Sequence, residues 1–175
     1  KLLIRGNDLR VRRVADRVHR LQALGVRHSI GVVARREHYE AIQALQAALP
    51  TGTPMWLNAY DTRGPGYYSA DELQWMDAID PWFHYNRAPK PSRGPACRAG
   101  VEALSVDGEG NVQRCHFIPR RLGNLYTDRL DDILRERPCS RLRCECYIGY
   151  AHRRDLDFYE AFGDGVLARI PVRPA

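Results

Sequence analysis

Three cysteines, Cys139, Cys144 and Cys146, fall within the fourteen residues of "RPCSRLRCECYIGY" (Arg137 to Tyr150), and the chain has only two others, Cys97 and Cys115. Thiols this dense amid Arg and Glu do not read as apolar core, although free cysteine often behaves as a small hydrophobe. Pairing all five as disulfides leaves one over. Reduced thiols around a metal centre, in a cytoplasmic setting, fit more easily. Four thiolates can make a tetrahedral cage, and both Zn²⁺ and iron–sulfur clusters take such ligands.

Something must bring the distant thiols together. "VEALSVDGEGNVQRCHF" alternates apolar and polar residues around "DGEGN", which predicts a β-hairpin with Cys97 before it and Cys115 on its second strand. "TDRLDDILRER" predicts a short amphipathic helix with Leu130, Ile133 and Leu134 on one face, capped by Thr127 or Asp128 and ended by Pro138. That helix would return Cys139, Cys144 and Cys146 to the hairpin base. Structural zinc sites usually present paired C-x₂₋₄-C knuckles. Here a whole hairpin separates Cys97 from Cys115, which suits a bulkier cluster. His116 and His152 lie near enough in sequence to complete a zinc site, so zinc stays open.

Upstream, residues 1–86 alternate strands and helices. "KLLI" is a short apolar run, and "HSIGVVA" and "PMWLNAY" read as buried strands. Between the first two, Val11, Val14, Val18 and Leu21 form a helical stripe with Asn7 or Asp8 as cap and Gly25 as stop. Ile42, Leu45 and Leu49 mark a second helix, and Ser69 with Glu72 makes a capping box for a third. Strands separated by such helices imply a parallel α/β sheet. Three strands and three helices make a poor stand-alone sheet, so this half is expected to be the end of a larger sheet or barrel. "NRAPKPSRGPACRAG" (Asn86 to Gly100) reads as an irregular linker, and 151–175 as a tail with one short helix near Leu156–Phe162.

The net charge is +6, and Lys1 and Lys90 are the only lysines among 27 basic residues. The arginines are interleaved with Asp and Glu, which fits a solvated face better than a nucleic-acid surface. A zinc-stabilised, basic, nucleic-acid-binding module is the rival reading. No apolar run approaches the ~18–20 residues needed to span a bilayer. The chain opens on "KLLIRGNDLR" without Met, as a processed or cut-out piece would.

The order Cys97, a hairpin closing in "GNVQRC" (Gly-x₄-Cys), "LGNLYTDRLDDIL" and a close cysteine group resembles the auxiliary-cluster domains of radical S-adenosylmethionine enzymes, the SPASM form or the shorter twitch form. The resemblance spans residues 95–150. It implies a fold of three final βα units of a partial (β/α) barrel (1–86), a small α+β twitch-like domain (87–150) and a tail (151–175). It also implies one auxiliary [4Fe–4S] cluster, which relays electrons or positions a small-molecule or peptide substrate. Full SPASM domains hold two clusters and need more cysteines than this chain has. The family's C-x₃-C-x₂-C motif, which holds the catalytic cluster that cleaves S-adenosylmethionine, does not occur here. The expected partner is therefore a missing N-terminal barrel half, carrying S-adenosylmethionine and the second [4Fe–4S] cluster. Twitch domains end in C-x₂-C, whereas Cys139-x₄-Cys144-x-Cys146 offers three candidates for two positions. The expected ligands are Cys97, Cys115, Cys144 and Cys146, with Cys139 as substitute. Asn58 and Tyr60, at a strand's C-terminal end, are candidates to line a cofactor or substrate pocket.

Overall fold

A computed structural model describes residues 2–4, 11–60, 66–87 and 89–172. It divides into two units, Lys1–Arg87 with Phe162–Ala175, and Ala88–Ala161. The caps expected at Asn7 or Asp8 lie outside the described residues. Among the described residues no helix is long and apolar enough to cross a membrane.

In the first unit, β1 (Leu2–Ile4), β2 (Ile30–Ala34) and β3 (Met55–Ala59) form a parallel sheet in chain order. Helix α1 (Val11–Ala23) joins β1 to β2, α2 (Tyr39–Ala48) joins β2 to β3, and α3 (Ala70–Ile79) follows β3. The mixed α/β pattern expected from the sequence is present. α1 ends as its sequence asks: Gly25 takes φ +66°, and the Val26 and Gly25 N–H groups donate to the Leu21 and Gln22 carbonyls. At α3 the Ser69 hydroxyl accepts from the Glu72 N–H while the Glu72 carboxylate accepts from the Ser69 N–H. Val18, Ile30, Val32, Ile42, Leu45, Leu57, Met76 and Phe83 make the buried core.

The sheet has a definite end at β3. Leu57 turns its N–H and C=O to Asp80 Oδ2 (2.9 Å) and Asn86 Nδ2 (2.9 Å). Side chains thus satisfy backbone groups that a further strand would otherwise take. The chain's last described residues belong to this unit too. A 3₁₀ helix, Gly163–Ala168, leads to Arg169, whose Nη1 donates to Asp80 Oδ2 at 2.5 Å with both side chains at most 3% exposed. Ser29 Oγ donates to the Ala168 carbonyl, and Arg27 to that of Pro171 (3.0 Å). Of the stretch 151–175 that reads in the sequence as tail, the part from Phe162 to Val172 is therefore a packed return to the sheet, while 151–161 belongs to the second unit.

The second unit contains β4 (Lys90–Pro91), β5 (Ser105–Val106), β6 (Asn111–Gln113), β7 (Arg121–Asn124), α4 (Leu130–Ile133), β8 (Arg143–Cys144), α5 (Tyr147–Tyr150) and most of α6 (Phe158–Phe162). The expected hairpin exists as β5–β6, and β7 extends it to an antiparallel three-stranded sheet. Asp107 Oδ1 accepts from the Glu109 and Asn111 N–H groups (2.9 Å each), which closes the turn. Gly110 (φ +81°) and Gly123 are needed for space: a Cβ would stand 2.5 Å from the Tyr126 ring and 2.7 Å from Ile133 respectively. Asn124 lashes turn to strand by donating to the Glu109 carbonyl (2.9 Å).

Three expectations change here. Cys115 lies just past β6, in a turn where the Ile118 N–H donates to its carbonyl (3.0 Å), because the hairpin is shorter than its alternating pattern. The helix expected over 127–137 shrinks to Leu130–Ile133: Asp128 gives its carboxylate to the Asn124 N–H (2.8 Å) instead of capping, and Arg137 Nη1 caps the Ile133 carbonyl (2.7 Å). The linker contains β4, which pairs antiparallel with β8 inside the cysteine-rich stretch.

Candidate metal centre

The cysteines sit on segments bound to one another mainly through backbone. Lys90 pairs with Cys144 in the β4–β8 ladder, and Cys97 forms an antiparallel bridge with Arg153. The Arg98 N–H donates to the His152 carbonyl (2.8 Å) and the Arg154 N–H to that of Ala96 (3.1 Å). Ser92 donates its N–H to Leu142 (2.9 Å) and its Oγ to the Arg141 carbonyl (2.8 Å), which holds the run between Cys139 and Cys144 against the same segment. The turn carrying Cys115 is tied in from two sides. Arg114 Nε donates to the Ala99 carbonyl (2.9 Å), and Arg141 Nη1 to that of Phe117 (3.3 Å). At Gly149 a Cβ would meet Cys144 Sγ at 2.6 Å and the Phe117 ring at 2.8 Å, so glycine alone fits beside this thiol.

All five cysteines are free and half-buried, so no disulfide staples the region. Burial pushes the Cys144 thiol up to about 12, and the charges of Cys115, Cys139 and Cys97 push the same way while Arg153 opposes them. Burial also raises Cys97, against a hydrogen bond from the backbone at Ala99 and the Arg114 charge; Cys115 and Cys139 add to the rise. Cys97, Cys115, Cys139 and Cys144 thus form one electrostatic neighbourhood. Among the described residues no three His, Cys, Asp or Glu side chains are already arranged to hold a metal ion.

Two arginines that the sequence reading did not single out are buried here, Arg114 (4% exposed) and Arg153 (9%). Their only sequence signal is position, Arg114 beside Cys115 and Arg153 in the run after the cysteines. Arg153 grips Asp155 through Nε (2.8 Å) and Nη2, and its Nη1 donates to the Pro91 carbonyl. The two histidines differ. His116 is exposed, with its ring 3.8 Å from that of Phe117, while His152 is buried with Nδ1 2.7 Å from the Tyr159 hydroxyl. Burial lowers both, and the His116 and Arg98 charges lower His152 further.

Residues 97–157 match the family model described as SPASM, an iron-sulfur cluster-binding domain. The cysteine-bearing segment is thus similar to SPASM iron-sulfur cluster-binding domains, and the match begins at Cys97 and takes in all five cysteines. Comparison with curated proteins and with solved structures gave no match.

Asn58 and Tyr60 belong to the first unit, at the C-terminal end of β3. Asn58 is half-buried in register with Val33 of β2. The Tyr60 N–H donates to the Tyr68 hydroxyl (2.7 Å), and the Arg35 guanidinium lies 5.0 Å from the Tyr60 ring. The strand ends therefore present a cationic and aromatic group of side chains.

Proposed function

We propose that the chain is the C-terminal part of a radical S-adenosylmethionine enzyme and holds one auxiliary [4Fe–4S] cluster on Cys97, Cys115, Cys139 and Cys144. The ligand set is supported by backbone pairing that ties the segments of Cys144 and Cys97 together, Lys90 with Cys144 and Cys97 with Arg153, and by the charges of Cys115, Cys139 and Cys97 acting on the half-buried Cys144 thiol. Relative to the expectation from spacing, Cys139 takes a ligand position and Cys146 becomes the spare. Bound there, the cluster would supply one-electron transfer or a docking point for substrate. The protein's part is to exclude water around Cys144, to brace the ligand segments through β4–β8 and the Cys97–Arg153 bridge, and to offset negative charge with Arg114 and Arg153.

The first unit is read as the last βα units of a partial barrel. The closure of β3 by Asp80 and Asn86 supports β3 as the final strand and leaves growth to the β1 side. On this reading the missing barrel half, with S-adenosylmethionine and the catalytic cluster, adds beside β1, and Asn58, Tyr60 and Arg35 face substrate or cofactor at the strand ends. Five free thiols suit a reducing cytoplasm.

Anaerobic reconstitution with iron and sulfide tests the assignment. Wild type and Cys146→Ala are expected to bind four irons and four sulfides per chain, as a [4Fe–4S] cluster requires. Cys97→Ala, Cys115→Ala, Cys139→Ala and Cys144→Ala are expected to lose most of that iron. Full loading by C139A with loss in C146A would overturn the ligand set. Stoichiometric zinc without iron would overturn the cluster.

A further inference from the structure

Burying an arginine is costly unless its charge is met, yet this small domain buries two beside its thiols. Each ties together two cysteine-bearing segments. Arg114 precedes Cys115 and donates from Nε to the carbonyl of Ala99, two residues after Cys97. Its side chain is packed against Gly100, where a Cβ would approach its Cγ to 3.0 Å. Arg153 is bridged through its backbone to Cys97, and its guanidinium reaches the Pro91 carbonyl, next to the residue paired with Cys144. Ala99 and Pro91 offer neutral carbonyls. Of the acceptors named, only Asp155 is charged, and its side chain is 51% exposed, so water screens it.

We infer that Arg114 and Arg153 are positioning charges for the cluster, stabilising its more negative, reduced form and thereby setting its reduction potential high for its cysteine ligation. This rests on the cluster reading above. Reduction adds one electron, so negative charge increases at fixed nuclear positions. Two guanidiniums held out of water favour that step more than the oxidised state, because Coulomb energies grow as the local dielectric falls. The same two charges lower the cost of gathering thiolates. Asp155 acts as a counterweight, since it withdraws part of the Arg153 charge through the paired contact.

The test is a redox titration of the reconstituted chain followed by electron paramagnetic resonance, with iron and sulfide counted on each sample. Arg114→Gln and Arg153→Gln are expected to lower the midpoint. At one fixed potential the reduced-to-oxidised ratio should fall about tenfold, equivalent to about 59 mV for a one-electron couple. R114K and R153K should restore most of the shift. Asp155→Asn, an exposed and structurally mild change, should move the midpoint the opposite way by a smaller factor of about two to three. Glutamine variants that load fully with an unchanged midpoint overturn the inference. If those variants fail to load, an unchanged midpoint in D155N overturns it equally. A wild-type chain that takes up no iron or sulfide overturns the cluster reading itself, which the elemental counts separate from a failure of the charge role.

Discussion

The two units keep their shape by different means. In the first, a parallel sheet and three helices bury a continuous set of Val, Ile, Leu, Met and Phe side chains, together with the buried ion pair Arg169–Asp80. In the second, the strands run two to four residues, and the buried side chains mix Val112, Ile133, Tyr147, Tyr150 and Phe158 with Ser92, Arg114, Asn124, His152 and Arg153. Apolar burial drives the first unit, at about 25 cal/mol per Å². The second relies on short backbone pairings and side-chain-to-backbone hydrogen bonds, each worth only about 0.5–1.5 kcal/mol net. A domain assembled that way gains most from a bound group that links its segments. The difference teaches where cofactor and stability are coupled.

Limited proteolysis with and without the cluster should expose that coupling most strongly. Chelation is expected to speed cleavage within residues 88–161 at least about tenfold, by linkage to a tightly bound group, and to leave cleavage within 11–60 unchanged. Equal rates for the second unit in both states would erase the contrast. The matching test on the first unit is Asp80→Ala, which takes an acceptor from the buried Arg169 guanidinium and from the Leu57 N–H. A loss of about 3–5 kcal/mol is expected, read as a lower thermal midpoint with iron per chain unaltered. Gly149→Ala should act on the other unit alone. Its methyl would fall 2.6 Å from Cys144 Sγ and 2.8 Å from the Phe117 ring, for an overpacking cost of about 1–3 kcal/mol and reduced iron uptake. The smallest effect belongs to Ser69→Ala, which removes one half of the capping box and should cost the first unit about 1 kcal/mol, measured by denaturant midpoint.

Local features were legible wherever one element held the whole signal. The Val11–Val14–Val18 stripe, the Gly25 stop, the Ser69–Glu72 box and the turn in "DGEGN" each depend on contacts a few residues apart, and each stands in the structure. Reading failed where a residue had two competing partners. Asp128 can cap a helix or accept from Asn124, and the second option shortened α4. Pro91 lacks an N–H, so its segment read as linker, yet a two-residue edge strand tolerates it.

By itself, the sequence determined that parallel βα units precede a hairpin-based cysteine domain, because helix and strand periods, caps and turns are short-range properties. Tertiary structure alone decided that Arg169 returns to Asp80 across 89 residues, and that side chains close the sheet at β3. It also decided that Lys90 pairs with the half-buried Cys144, that Cys97 bridges to Arg153, and that Arg114 and Arg153 are buried in the same unit. Spacing along the chain cannot rank three cysteines in one loop, since their separation in space depends on strand pairing at Lys90 and Cys144 and on the room left by Gly149.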